Sequence, residues 1–246
     1  MIPDHTLSTV LDQCLALRAG EEVTLLVDRD TDPEVVEALV TGIEDRRCIP
    51  LVTRIPRYLI PGTEPPESVG RQLLGSAAVI EVTSTFIGSS RARQRATAAG
   101  TRYLCMPAVV ADTFRPGGPL DVDFDSLRRT TTAVAAAWTQ ADSYRLTTPA
   151  GTDLRGSVRG RPGRALYGIA RDPGSYMCPP DVEAGTSPVE GSSDGVVIID
   201  GDFLFMGTGP VTEPVAVHIA GGELVACEGE QGQRLLAMIA RCQDDR

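Results

Sequence analysis

The stretch Cys178–Glu190, CPPDVEAGTSPVE, carries two glutamates, Glu183 and Glu190, in a loop punctuated by Pro179, Pro180, Gly185 and Pro188. Loop carboxylates of this kind serve one of three chemistries: they ligate a metal, act as a general base, or stay as solvated charge. The prolines restrict the unfolded chain, so less entropy is lost in holding side chains ready for a ligand. Upstream, Arg155, Arg159, Arg161 and Arg164 offer guanidinium groups that pair with these carboxylates or with an anionic ligand. A guanidinium close to a glutamate lowers its pKa, which makes a better metal ligand than general acid. The plain alternative is surface charge, and Glu190 reads as a turn residue.

The other chemically versatile side chains are sparse. Two histidines occur, His5 and His218, and the second lies in PVAVHIA, where strand alternation gives it a structural place on one face of a hairpin. Two histidines do not assemble a His-rich zinc site. Six cysteines, at 14, 48, 105, 178, 227 and 242, are scattered without a CxxC pair. They read as reduced, buried thiols, with neither a zinc knuckle nor a disulfide framework.

These residues hang on two kinds of scaffold. Up to about residue 118 the chain alternates helices and short apolar strands. Helical spacing over 5–19 is followed by strand EEVTLLVD (21–28), a helix from Asp32-Pro33 to about Arg47, and strand IPLVTRI (49–55). A helix near 66–75 then precedes strand AAVIEVTS (77–84), and a Ser-capped helix (89–100) precedes strand TRYLCMP (101–107). Strands without polar alternation, separated by helices, predict a Rossmann-like parallel sheet covered on both faces. VDRDTDP stands where a phosphate-binding loop would need glycines, so dinucleotide binding is not expected.

From 119 to 246 the reading is a smaller α+β part with antiparallel strands. A helix (123–141) leads to two strands around a Pro-Ala-Gly turn (144–160), then the long loop with Glu183 and Glu190. Strand 195–207, a hairpin over 214–229 turning at Gly221-Gly222, and a helix at 232–243 complete it.

Composition sets further bounds. The net charge of −10 argues against a nucleic-acid partner. All basic residues are arginine, which reads as coding bias rather than function. No apolar run approaches the roughly 20 residues of a membrane span, and the N-terminus lacks the pattern of a signal peptide, so a cytoplasmic location is expected.

Three segments resemble the thermophilic metallo-aminopeptidase (aminopeptidase T-like) family, whose wider relatives include dihydroxypyridine dioxygenases. They are TTPAGTDLRGSVRGR (147–161), PDVEAGTSPVEGSSDGVVIIDG (180–201) and GGELVACEG (221–229). The resemblance implies that Glu183 matches a ligand of a two-metal site, where paired metals activate water. The family's remaining ligands, a further glutamate and histidines, have no counterpart here, so the resemblance implies a truncated, non-catalytic relative without a cofactor. Such a chain would bind a peptide or small amino-acid-derived ligand through Arg155, Arg159, Arg161, Glu183 and Glu190, as an accessory in a biosynthetic pathway. The alternative is an active metal-dependent aminopeptidase using Zn or Co, with ligands completed by a partner chain or a further C-terminal segment. A homodimer is the expected assembly.

Overall fold

The computed structural model describes residues 2–203 and 210–240. In chain order the first elements are α1 (Asp4–Ser8, continuing as a π-helical turn Thr9–Cys14), β1 (Glu22–Val27), α2 (Pro33–Asp45), β2 (Ile49–Arg54) and α3 (Glu67–Gly75). Then come β3 (Ala78–Glu81), α4 (Arg91–Ala98), β4 (Arg102–Cys105), a 3-10 turn (Ala111–Phe114) and α5 (Phe124–Gln140). Strands β5 (Ser143–Thr147), β6 (Asp153–Ser157), β7 (Arg164–Leu166), β8 (Tyr176–Met177), β9 (Glu183–Gly185) and β10 (Asp194–Ile199) follow. The hairpin β11 (Val215–Ala220) and β12 (Glu223–Cys227) and helix α6 (Gly229–Ile239) complete the described chain. The ends of the expected strand 195–207 and helix 232–243, with Cys242, lie outside the described residues.

The chain divides into two compact units, residues 1–133 with 165–184 and residues 134–164 with 185–246. The expected division at 118/119 falls within the first stretch of the first unit.

In the first unit a five-stranded parallel sheet runs in the order β2-β1-β3-β4-β8. Alternate residues of a strand face opposite sides, and the burial follows that rule. Val23, Leu25, Ala78, Ile80 and Leu104 pack with Leu11 of the π-helical turn and Leu39 and Ile43 of α2. Leu26, Val79, Tyr103 and Cys105 face the other way, against Leu73 of α3 and Ala92 and Ala96 of α4. Helix starts are set by local chemistry: the Asp32 carboxylate accepts from the Glu34 N–H and Ser90 Oγ from the Arg93 N–H.

Arg102 and Asp28 are charged groups built into this unit. Arg102 on β4 donates to the carbonyls of Leu15 (2.7 Å) and Ala16 (2.9 Å) and to Glu21 (2.5 Å), tying the segment after the π-helical turn to the sheet. Asp28, after β1, accepts from the Ser84 N–H (2.8 Å) and hydroxyl (2.6 Å) and from the Asp30 N–H (2.9 Å). Burial pushes its carboxyl up, but these bonds outweigh it and hold the pKa below the usual range. The acidic VDRDTDP loop therefore uses its carboxylate to organise itself.

The second unit holds an antiparallel sheet, β12-β11-β10-β6-β5. Val215, Val217 and Cys227 pack there with Phe203 and with Leu235 and Leu236 of α6. Gly195 is required where β10 meets β6: its φ is 137°, and a Cβ would lie 2.1 Å from the Asp153 carbonyl oxygen. Among the described residues no helix is long and apolar enough to cross a membrane.

Candidate functional site

The arginines and carboxylates singled out in the sequence do not gather into one cluster. In the second unit Arg161 pairs with Glu190, whose own backbone N–H, and then Arg161, hold its carboxyl below the usual range. Arg159 pairs instead with Asp142 at 3.1 Å, and Arg164 donates to the Ser187 hydroxyl at 3.1 Å. Arg155 stands opposite Asp194 across β6 and β10 and lines a cavity of about 390 Å³ with Arg145 and Asp153. Glu183 is an exposed residue of β9 and belongs to the first unit through Ala184. His5 lies 3.5 Å from Asp121, and His218 lies 3.0 Å from Glu228. Among the described residues, no three His, Cys, Asp or Glu side chains come together as a metal site requires.

A different cluster does converge, on the α3/α4 side of the parallel sheet. Glu81, at the end of β3, is fully buried. Its Oε1 accepts from the Thr83 hydroxyl (2.8 Å) and the Ile87 N–H (2.5 Å), and its Oε2 from the Tyr103 hydroxyl (2.7 Å). Burial raises its pKa; the Ile87, Tyr103 and Thr83 bonds and one from Cys105 work against that without cancelling it. Strand register explains the convergence. Tyr103 pairs with Tyr176 and Leu104 with Met177, so Cys105 and Cys178 are the next positions on neighbouring strands.

Both thiols line a cavity of about 400 Å³ with Phe86, Pro107, Tyr176, Pro179, Pro180 and Asp181. Gly88 closes against it: a Cβ there would sit 2.5 Å from the Tyr176 hydroxyl and 3.0 Å from the Cys105 sulfur. Arg93 lies over the Tyr176 ring at 4.2 Å and donates to the Gly88 carbonyl. The two thiols titrate apart. Cys105, hydrogen-bonded to Cys178 and desolvated, is pushed well up, whereas the bond from Cys105 brings Cys178 down. Cys105 and Cys178 are far apart in sequence, and only strand pairing brings them together. The signal that would have joined them is the matched trio Tyr-x-Cys, at 103–105 and 176–178.

The fold is similar to that of two solved structures. The chain superposes on 2,5-dihydroxypyridine dioxygenase from Pseudomonas putida KT2440 with TM-score 0.81, at 18% identity over 98% of this chain and 72% of that one. It superposes on AmpT from Thermus thermophilus with TM-score 0.66, at 16% identity over 96% of this chain and 73% of that one. At these identities the likeness is one of fold. Comparison with curated proteins gave no match. The family model described as NicX, 2,5-dihydroxypyridine 5,6-dioxygenase, matches residues 5–246, and the chain belongs to that family.

Membership corrects four expectations. The dioxygenases, placed among distant relatives of the aminopeptidases, are the better match. The non-catalytic, peptide-binding reading gives way to an enzyme family, and so does the aminopeptidase-type hydrolase offered as its alternative. The expectation of no cofactor falls with them, because dioxygen chemistry is carried by redox-capable cofactors. Zinc, which has no redox chemistry of its own, does not replace them. The physical reason for the misreading is that the stiff Pro-rich loop and the order of the three segments are features of scaffold. A fold common to both neighbours leaves the choice of chemistry open.

Proposed function

We propose that this chain is an iron-dependent enzyme of the dihydroxypyridine dioxygenase type, opening a hydroxylated pyridine ring with O2. The observation that carries this reading is the family match, which spans residues 5–246 and so takes in both units. The fold likeness to the Pseudomonas putida enzyme, over 98% of the chain, supports it. Iron, when bound, supplies the electron exchange that O2 needs to react with an aromatic ring.

The described residues do not by themselves fit such a metal. A non-haem iron of the 2-His-1-carboxylate kind needs three ligands on one face, and His5 and His218 sit in separate units, each beside its own carboxylate. Arg155 is the guanidinium offered to an ionised ring hydroxyl, a charge-assisted pairing.

The test is anaerobic loading of the purified chain with Fe(II), removal of excess metal, and addition of 2,5-dihydroxypyridine with O2. Expected are one O2 consumed per ring lost and both atoms of labelled O2 in the product. In the Arg155→Ala variant KM rises while kcat is held. A chain that retains no iron, or that retains it and consumes no O2 with any of a panel of hydroxylated pyridines, overturns the reading.

A further inference from the structure

We propose that Cys105 and Cys178 are a redox-active dithiol that hydrogen peroxide converts to an intramolecular disulfide. The inference is independent of the ring-opening chemistry and rests on four observations within the first unit. The register of β4 and β8 ends at Leu104 with Met177, which puts Cys105 and Cys178 one step beyond the last pair, side by side. Such strands lie about 4.8 Å apart, inside the Cα separation of about 4.4–6.8 Å that a disulfide spans. Both thiols open onto the same cavity of about 400 Å³, large enough for a small oxidant. Their exposures differ: Cys178 is partly accessible, whereas Cys105 is buried. Finally, a fully buried carboxylate, Glu81, interacts with the inner thiol.

That asymmetry assigns the roles. Thiolate is the attacking form of cysteine, and reactivity toward peroxide follows thiolate character and access. The Cys105 S–H, shared between Glu81 and Cys178, favours the Cys178 thiolate and outweighs burial; the Tyr176 hydroxyl adds a second donor. Asp181 and Glu81 oppose this as nearby negative charges. Cys178, the more exposed of the two, is the thiol that meets the oxidant.

The thiolate sulfur of Cys178 attacks one peroxide oxygen. The O–O bond breaks, the sulfur keeps a hydroxyl as sulfenic acid, and the departing hydroxide takes a proton to become water. Cys105 then gives its proton to Glu81 and attacks the Cys178 sulfur. The S–O bond breaks, an S–S bond forms, and the leaving hydroxide takes the proton from Glu81 as a second water. Two thiols lose two electrons in total, and one peroxide is reduced to two waters. Glu81 is a positioning and proton-holding residue here, since it touches Cys105 and not the peroxide. Cys14 is a built-in control: burial pushes its thiol up to about 12, leaving it protonated and slow.

The experiment treats the full reduced chain with hydrogen peroxide, blocks remaining thiols, and maps the unreduced digest by mass spectrometry. Expected is a linked peptide pair containing Cys105 and Cys178, reversed by dithiothreitol, with Cys14, Cys48 and Cys227 still alkylated. Cys105→Ser should leave Cys178 as a sulfenic acid that dimedone traps. Glu81→Gln should prolong that intermediate while leaving the first step at its wild-type rate. The wild-type digest decides the matter without reliance on any variant's folding. Cys178 linked to another cysteine, oxidation of Cys178 to sulfinic acid without linkage, or Cys178 reacting no faster than Cys14 each overturns the proposal.

Discussion

Replacing Glu81 by glutamine tests the electrostatics of the parallel sheet directly. The carboxylate has no contact with solvent and receives hydrogen bonds from Thr83, Ile87 and Tyr103, with the Cys105 thiol a fourth donor. Gln keeps Oε1 as an acceptor for Thr83 and Ile87 and places its NH2 where Oε2 meets the Tyr103 hydroxyl, which can accept one of the two N–H groups. The second N–H has no assigned acceptor, and an unsatisfied buried donor costs about 1–3 kcal/mol. That cost is the expected deficit of the variant at low pH, where the wild-type carboxyl is protonated.

The sign of the pH dependence follows from burial. Desolvation raises the pKa of Glu81 above its ordinary value of 4.5. A carboxyl with a raised folded-state pKa holds its proton longer in the native state than in the unfolded one. Its stabilising contribution is complete below the unfolded pKa and declines as pH rises, until the folded pKa is passed. The decline is about 1.4 kcal/mol for each unit by which the two values differ. Gln does not titrate, so the gap between wild type and variant should narrow as pH rises above about 4.5. Urea unfolding of both proteins in matched buffers between pH 4.5 and 8 measures it, and other carboxylates cancel in the difference. A gap that widens with pH would show the donors prevailing over desolvation and refute the reasoning.

Two further substitutions probe the scaffold. Arg102→Met removes a buried guanidinium and strands Glu21 and the carbonyls of Leu15 and Ala16. Breaking a buried pair on one side costs about 3–5 kcal/mol, and a smaller loss in a urea melt would mean that water replaces the guanidinium. Gly195→Ala forces a side chain at φ 137° into the Asp153 carbonyl of the adjoining strand. Hydrogen exchange should accelerate in β6 and β10 while β1 and β3 keep their protection, and unchanged rates in β6 would exclude the clash.

The sequence made the layered architecture legible because burial of both sheet faces leaves an apolar strand pattern, as at Val23–Val27 and Ala78–Glu81. The helix starts at Asp32 and Ser90 were equally legible, since their side chains cap locally. The first helix was read too long, because apolar spacing persists through Leu15 whereas the backbone passes into a π-helical turn at Thr9–Cys14. Pairing across the sheet was not legible. Tyr176–Met177 is two residues long, has no periodicity, and lies in a segment read as loop. It becomes a strand because β4 presents an unfilled edge, a tertiary cause that local sequence does not record.

That short strand changes the chemistry of its surroundings. Without β8, Cys105 would be the last residue of an edge strand and Cys178 an unrelated loop thiol. With it, Tyr103 and Tyr176 become neighbours with ring centroids 5.8 Å apart, and the next register position brings the thiols together beside Glu81. The loop from Pro179 to Glu183 then leaves the sheet directly from this cluster. The Pro-rich stretch that first suggested a metal-binding loop is therefore anchored, at its N-terminal end, by strand pairing and a buried polar network. Loosening that anchor, as Gly88→Ala would by pressing on the Tyr176 hydroxyl and the Cys105 sulfur, should disturb the setting of Glu183 from a distance. It should also slow disulfide formation in the same protein, so the two effects are expected to appear together.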